Sequence, residues 1–142
     1  MATRSYIGVK NQYNGTVDYI YCHFDGYPSH NGRILAEHYT SLDKVKELLA
    51  LGDLSILGAE IGEQQDFNNR ETHNKNWCLA YGRDRGEKGT GVKTGEFRTV
   101  ISGVGVDYVY IFDYIKHQWE CFDTYTPEQI IDLYNKPVQQ TS

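Results

Sequence analysis

Four consecutive residues, Cys22-His23-Phe24-Asp25, combine side chains that can act as nucleophile, base and acid. Side chains alternate along a regular strand, so Cys22 and His23 would lie on opposite faces. They could then neither form a thiolate–imidazole pair nor share a metal. His23 and Asp25, at a strand end beside a tight loop, could still form an acid–base pair. The alternative is structural: Asp25 caps the turn and His23 makes a hydrogen bond.

The three cysteines, Cys22, Cys78 and Cys121, are an odd number and include no C-x-x-C pair. Each lies in an apolar, strand-like pattern, where a free cysteine behaves as a small hydrophobic residue. The spacing therefore predicts neither a disulfide framework nor a zinc site. We expect no metal and no cofactor.

A second cluster, residues 81–91 (YGRDRGEKGTG), places two arginines between a predicted strand and a glycine-rich loop. It matches neither a phosphate-binding P-loop nor a dinucleotide fingerprint, because Val92 and Thr94 occupy the required lysine and glycine positions. Arg83 and Arg85 remain candidates for bidentate binding of a phosphate. Alternatively, the acidic residues beside them neutralise both arginines and the loop is only solvated.

Tyrosine is frequent, with 12 residues beside 5 Phe and 2 Trp. Its apolar ring and polar tip suit interfaces and ring-shaped ligands, and equally suit a half-buried strand. On the strand predicted for 106–114, alternate positions form an aromatic stripe. The stripe consists of Tyr108, Tyr110, Phe112 and Tyr114. These rings could stack on a nucleobase, or pack in the interior or against another subunit.

Net charge and hydropathy limit the classes of partner. The chain of 142 residues carries a net charge of −5, which argues against non-specific binding of long nucleic acid. No apolar run is long enough to span a membrane, and no signal-peptide pattern opens the chain. We therefore expect a soluble, cytoplasmic protein without a membrane partner. A small anionic nucleotide remains possible, because it needs only two or three local cations.

An Asn-Gly dipeptide at 14–15 separates two alternating runs, 5–9 and 16–24, and this pattern predicts a β-hairpin. Alternation gives the hairpin two faces. The predicted core face holds Ile7, Val9, Ile20, Cys22 and Phe24, and the second face holds Arg4, Tyr6, Tyr19, Tyr21 and His23. Because the second face is both aromatic and polar, we expect it to meet another layer, another subunit or a ligand.

The remaining elements follow from periodicity and end signals. Helices are predicted over 33–39, from the N-cap Ser41 to the stop Gly52, and from Thr126 to about Asn135; strands over 77–81, 97–101, 106–114 and 119–123; a helical turn over 53–58; and loops over 62–76 and 82–95. The fold class is α+β, an N-terminal antiparallel hairpin and a central antiparallel sheet with two helices after the hairpin and one C-terminal helix. We expect one ligand-binding domain over 1–135 and a frayed tail over 136–142.

Three segments resemble a family of small phage proteins that includes the first-described Thoeris anti-defence proteins. The segments are 21–28 (YCHFDGYP), 51–58 (LGDLSILG) and 83–87 (RDRGE), and the similarity covers most of the first 90 residues. The resemblance implies a non-enzymatic sponge that binds a cyclic ADP-ribose isomer (glycocyclic ADP-ribose) without degrading it. The signal comes from a bacterial TIR-domain enzyme, so binding would block Thoeris signalling in the infected host's cytoplasm.

The resemblance also implies where the ligand binds. It would lie at a homodimer interface, with arginines on the pyrophosphate and aromatic rings on the adenine. Dimers of the family can assemble into hexamers, which provide separate pockets for cyclic oligonucleotides. Within the chain, residue chemistry selects the candidate ligand-binding residues. They are His23, Asp25, Tyr27, Arg33, Tyr81, Arg83, Arg85, Tyr108 and Tyr110.

Two alternatives belong to other functional classes. One is a metal-independent phosphodiesterase that uses His23 and Asp25 against a similar nucleotide signal. The other is a protein-binding inhibitor whose tyrosine face covers a host defence enzyme. Release of intact ligand after denaturation would exclude the first, and co-purification of a host protein would favour the second.

Overall fold

The computed structural model describes residues 2–11, 15–126 and 130–134, which form eight β-strands and four α-helices. The strands are β1 Ser5–Lys10, β2 Thr16–Cys22, β3 Leu54–Ile56, β4 Leu79–Ala80, β5 Lys93–Glu96, β6 Tyr108–Asp113, β7 Gln118–Asp123 and β8 Ile130–Ile131. The helices are α1 Arg33–His38, α2 Leu42–Ala50, α3 Tyr81–Arg85 and α4 Phe97–Ser102. A π-helical turn at Pro28–Gly32 leads into α1, and a 3-10 turn lies at Arg70–Thr72. The α+β class is confirmed.

All the described strands belong to one mixed sheet. Its order is β4-β3-β2-β1-β6-β7-β8, and β5 pairs with the first half of β2. The β1–β2 pair is antiparallel, as the hairpin predicts, but β1 runs parallel to β6 and β2 parallel to β3. The central sheet predicted as antiparallel is therefore mixed, with antiparallel pairing at most of its strands and parallel pairing at these two. Parallel pairing joins segments far apart in the chain, which local patterns do not reveal.

The predicted hairpin forms with the expected separation of faces. Ile7, Ile20 and Cys22 have no exposed surface and lie in one hydrophobic cluster. Gly15 has the positive φ that the tight turn requires, and residues 12–14 lie outside the described part. Phe24 departs from the prediction, since it lies two residues beyond the end of β2 and is 37% exposed.

Helix α2 begins and ends where the sequence signals predict. The Ser41 hydroxyl accepts a hydrogen bond from the Lys44 backbone N–H at 3.3 Å, so it acts as the N-cap. Gly52, just after the helix, has φ +75°, and a side chain there would strike the Thr90 backbone. Among the described residues, no helix is long and apolar enough to cross a membrane.

Hydrophobic clusters cover both sides of the sheet. On the side covered by α1 and α2, the helical side, the cluster includes Leu35, Val45 and Leu48. The other cluster packs Phe97 and Val100 of α4 against the sheet, and we call this the ring side. The β6 stripe belongs to the helical side, where Tyr110 and Phe112 have no exposed surface and Tyr108 and Tyr114 pack against the cluster. The packing alternative is therefore observed for the two fully buried rings of the stripe, Tyr110 and Phe112.

Several local predictions were wrong because tertiary pairing overrides local preference. Residues 97–101 form helix α4 rather than a strand, since Phe97, Val100 and Ile101 recur at helical spacing and pack together on the sheet. The turn predicted over 53–58 contains strand β3, whose Leu54 pairs with both β2 and β4.

The other differences lie later in the chain. The loop predicted over 82–95 contains most of α3 and three of the four residues of β5. The C-terminal helix is contradicted at Ile130–Ile131, which pair with β7 as strand β8. Residues 127–129 and 135–142, with the rest of that helix and the predicted tail, lie outside the described part.

Candidate functional site

The strand directions bring chemically useful residues to one edge of the sheet. Ser5 pairs with Cys22 on β2 and with Tyr108 on β6, and Tyr108 pairs with Asp123 on β7. The start of β1, the end of β2, the start of β6 and the end of β7 therefore meet. Residues just outside these strand ends share that edge although they are far apart in sequence.

Two adjoining depressions lie at this edge, with volumes of about 580 and 320 Å³. Both include Ala2 and Asp107. The larger is also lined by Arg4, His23 and Phe24, and the smaller by Thr3, Tyr108, Asp123 and Tyr125. We call the two depressions together the Arg4 groove. Volumes of this order are typical of small-molecule sites.

Arg4 provides a positive charge in the groove. Its backbone is held at both ends by Asp107: the Arg4 N–H donates to a carboxylate oxygen at 3.3 Å, and the Arg4 carbonyl accepts from the Asp107 N–H at 2.9 Å. The guanidinium itself is exposed and makes no hydrogen bond or ion pair with any described residue. A fixed backbone with an unused guanidinium is suited to binding an anion.

Aromatic rings lead along the ring side of the hairpin into the groove. Ring centroids are 4.9 Å apart for Tyr19 and Tyr6, and 6.5 Å for Tyr6 and Tyr21. The series continues to His23 at 5.9 Å from Tyr21, and to Phe24 at 4.5 Å from His23. We call these five residues the ring ladder. It confirms the predicted second face of the hairpin as an aromatic surface.

His23 is oriented by the ring ladder. The Tyr21 hydroxyl lies 2.7 Å from His23 Nδ1. Burial raises the pKa of Tyr21, against the opposing effect of the positive charge of Arg4, so its phenol stays protonated at neutral pH. When this hydroxyl donates to Nδ1, the neutral imidazole carries its proton on Nε2 and can donate it to a ligand.

Asp25 and Tyr27 form a separate small unit in the loop after β2. Asp25 has φ +57°, a left-handed conformation that aspartate tolerates. Its carboxylate accepts from the Tyr27 hydroxyl at 3.4 Å, and its carbonyl accepts from the Asn31 N–H. No hydrogen bond joins the described side chains of His23 and Asp25, so the proposed acid–base pair is not formed in this structure.

Arg83 has an internal role. Its guanidinium donates to the Ile61 carbonyl at 2.8 Å, to the Cys78 carbonyl at 2.8 Å and to both carboxylate oxygens of Asp84. The Asp84 carboxylate is fully buried and also accepts two backbone N–H groups, from Gln65 and Ala80. We call this the Arg83 cluster. A phosphate at Arg83 would have to displace these bonds, so the geometry favours a structural role.

Arg85 and Tyr81, the last and first residues of α3, form a different arrangement. The Arg85 guanidinium carbon lies 4.7 Å from the ring centres of both Tyr81 and Phe67, and Nη2 donates to Glu87 at 2.7 Å. The Arg85 side chain is 40% exposed. It is already in contact with two rings and one carboxylate. This matches the alternative in which a neighbouring acidic residue neutralises the arginine.

The remaining candidates lie in different surroundings. Arg33 is exposed on α1, with Glu37 at 3.9 Å. Tyr110 is fully buried and donates its hydroxyl to the Gly26 carbonyl at 2.6 Å, so it supports the loop after β2 from below. Tyr108 lines the Arg4 groove. The structure therefore brings together His23 and Tyr108, and leaves Arg33, Tyr81, Arg83 and Arg85 elsewhere.

The cysteines are all buried. Burial raises the pKa of Cys22 to about 12 and that of Cys121 to about 12, and it raises the pKa of Cys78 as well. A thiol in this state is a poor nucleophile at neutral pH, because the thiolate is the reactive form. This agrees with the interpretation of all three as core residues.

The groove also holds Arg4, Asp107, Asp123 and Tyr125, none of which was a sequence candidate. A signal existed for Arg4, which alternation places on the aromatic face of the hairpin with Tyr6. No sequence signal joins the other three, since they depend on the β1–β6 pairing. Comparisons of the chain with protein-family models, curated proteins and solved structures found no match.

Proposed function

We propose that this protein binds a cyclic ADP-ribose isomer in the Arg4 groove without cleaving it, and so acts as a phage counter-defence sponge against Thoeris signalling. One observation carries the proposal: an arginine with no internal partner among the described residues lies in a groove with aromatic rings on both sides. Glycocyclic ADP-ribose is the isomer that the family resemblance implies.

Arg4 supplies the contact to the pyrophosphate. Hydrogen bonds between a guanidinium and a phosphate are charge-assisted and can be bidentate. The Arg4 guanidinium needs no internal bond to be broken first, whereas Arg83 would lose four. Because the backbone of Arg4 is held by Asp107, less freedom is lost when the ligand binds.

The rings and carboxylates of the groove suit the other parts of the ligand. His23 and Phe24 lie on one side of Arg4, and Tyr108 and Tyr125 line the adjoining depression, so adenine has rings available in either direction. Base stacking on an aromatic ring is worth about 1–3 kcal/mol in nucleic-acid complexes. Asp107 and Asp123 provide acceptors for ribose hydroxyls, the role that an acidic residue has in dinucleotide sites.

Binding without cleavage is favoured by how the possible catalytic groups are engaged. His23 Nδ1 is bonded to Tyr21, and Asp25 interacts with Tyr27. Neither side chain activates the other, which general acid–base cleavage by this pair would require. The phosphodiesterase remains the alternative that the experiment below distinguishes.

A second copy of the chain would enclose the ligand. Tyr125, in the groove, is 83% exposed, and so is Val104, whose carbonyl accepts from the Tyr6 hydroxyl of the ring ladder. A homodimer that covers these residues would bury apolar surface and exclude water from the phosphate contacts. Sequestration requires such enclosure, since nanomolar affinity corresponds to about −12 kcal/mol.

The test is retention followed by release. The purified protein is incubated with a mixture of cyclic ADP-ribose isomers, unbound ligand is removed by filtration, and heat-released material is identified by mass spectrometry. We expect one intact isomer from the wild type and much less from Arg4→Ala. Arg98→Ala is the matched control, because Arg98 is exposed in the first turn of α4 and does not line the Arg4 groove.

Three other outcomes would overturn the proposal. A cleaved product would indicate the phosphodiesterase and make His23 and Asp25 the next residues to change. Retention unchanged in Arg4→Ala would move the site away from the Arg4 groove. No retained isomer at all would reject nucleotide binding and favour the protein-binding inhibitor.

A further inference from the structure

A second cavity lies at the other end of β1, on the helical side of the sheet. Its volume is about 730 Å³. Val9 of β1, Leu42 and Leu49 of α2, Val92 and Tyr114 supply most of its apolar lining. Lys10 and Asn11, at the end of β1, place it beside the hairpin turn and far from Arg4.

Lys46 gives this cavity an unusual feature. On α2, Leu42, Lys46, Leu49 and Ala50 recur at helical spacing and all line the cavity. A lysine therefore occupies the helix face that is otherwise apolar. Its ammonium group makes no ion pair or hydrogen bond with any described residue. The neighbouring Lys44, in contrast, donates to the Ala59 carbonyl at 3.0 Å.

The other charges at the cavity are held by neighbours. The Lys10 ammonium lies 4.7 Å from the ring centre of Phe97, which belongs to the cluster on the ring side. One oxygen of Asp18 accepts from Asn11 Nδ2 at 3.2 Å and from the Thr94 hydroxyl at 2.7 Å. Both of these donors are uncharged groups. Lys46 is therefore the cation that this cavity offers to a ligand.

We propose that this cavity binds a small amphipathic monoanion, a carboxylate with an aliphatic body. The body would pack on Leu42, Leu49 and Val9, and the carboxylate would pair with Lys46. Apolar pockets with few polar groups are the usual form of small-molecule sites, and the polar groups fix the orientation of the ligand. The site is separate from the Arg4 groove and does not depend on the function proposed for it.

The two charges predict effects of opposite sign, which makes the proposal sharp. Lys46→Ala removes the attracting charge from an exposed helix position, where alanine is well tolerated. Asp18→Asn removes the repelling charge and keeps an oxygen for Asn11 and Thr94. Lys75→Ala is the matched control, since Lys75 is exposed in the segment between β3 and β4.

The probe is sodium decanoate, titrated into the full chain by calorimetry, with decyltrimethylammonium as the cation of equal chain length. We expect saturable decanoate binding, weakened about tenfold in Lys46→Ala, which corresponds to about 1.4 kcal/mol. Binding should tighten in Asp18→Asn and stay unchanged in Lys75→Ala. Failure of decanoate to bind the wild type, equal binding by Lys46→Ala, or binding of the cation as tight as that of decanoate would each overturn the proposal.

Discussion

The Arg83 cluster and the Arg4 groove use the same kind of side chain in opposite ways. In the cluster, the guanidinium of Arg83 donates to two carbonyl groups and a buried carboxylate. In the groove, Asp107 binds the backbone of Arg4 and leaves its guanidinium exposed. Asp84 thus neutralises Arg83, whereas Asp107 positions Arg4.

The comparison shows why adjacent charges in a sequence are a poor guide to a binding site. Arg83 and Arg85 looked available because they lie beside glycines at a strand end. The fold supplies Arg83 with acceptors from Ile61 and Cys78, and it supplies Arg85 with the ring of Phe67. An arginine is available for a ligand only when the fold places no acceptor or ring of the protein against it. The spacing of residues along the chain does not show whether this is so.

The largest expected effect is on stability, in the Arg83 cluster. Arg83→Ala leaves the buried Asp84 carboxylate without its counter-ion, and we expect the free energy of unfolding to fall by about 3 kcal/mol. Arg4→Ala should change it by less than about 0.5 kcal/mol, because exposed groups without partners contribute little. Urea unfolding of both variants measures the difference. Equal stability of the two would contradict the structural role of Arg83.

For ligand affinity, in contrast to stability, we expect Arg4 to contribute more than an arginine of α3. Arg4→Ala should weaken binding of glycocyclic ADP-ribose by about 1.5–3 kcal/mol, the value of a hydrogen bond to a charged group. Arg85→Ala should leave affinity nearly unchanged, because Arg85 lies outside the Arg4 groove and is engaged by rings and Glu87. Calorimetric titration of each folded variant provides the measurement. Loss of affinity in Arg85→Ala alone would return the site to that loop.

Alkaline pH should lower the stability of the folded chain through its buried thiols, even where the neighbouring residue in the sequence is accessible. Cys22 is buried on the helical side although His23 lines the groove, and burial raises the pKa of Cys22 and of Cys121 to about 12 from an ordinary 9.0. Above pH 9 the unfolded chain loses these thiol protons while the folded chain keeps them, so stability falls as pH rises. Each thiol should remove about 1 kcal/mol between pH 9 and pH 10.

The check on the thiols is chemical denaturation at pH 8, 9 and 10. Burial also raises the pKa of Tyr39 and of Tyr110, so both act in the same direction. The slope of stability against pH should be shallower in Cys121→Ala than in the wild type. An unchanged slope would mean that Cys121 already ionises in the folded chain with its ordinary pKa.

The smallest effect is expected at Arg33. It is exposed on α1 and lies 3.9 Å from Glu37, four residues later. Such surface pairs contribute about 0.3–0.5 kcal/mol. Arg33→Ala should therefore lower the free energy of unfolding by no more than about 0.5 kcal/mol, with ligand affinity unchanged. A marked loss of affinity in this variant would extend the ligand site to α1.

Local signals predicted the fold where local physics decides it. The Asn-Gly dipeptide at 14–15, the Ser41 cap and the Gly52 stop are signals that act within a few residues, and they predicted the hairpin and α2. Pairing across the chain was not predictable in this way. Strand β3 forms because Leu54 finds partners on β2 and β4, and β8 because Ile130 and Ile131 pair with β7.

The candidate site was predictable only in part for the same reason. Alternation placed Arg4 and His23 on one aromatic face of the hairpin, and both residues line the same depression. The opposite side of the groove comes from β6 and β7, about 100 residues later. Since Asp107 and Asp123 reach the groove through the parallel β1–β6 pairing, no pattern near Arg4 could reveal them.

The most direct test of the central claim is a crystal structure of the protein with glycocyclic ADP-ribose bound. We predict intact ligand in the Arg4 groove, a phosphate oxygen within hydrogen-bond distance of the Arg4 guanidinium, and adenine against a groove ring such as Phe24 or Tyr108. Ligand bound at the Arg83 cluster or beside Arg85, with the Arg4 groove empty, would contradict the account.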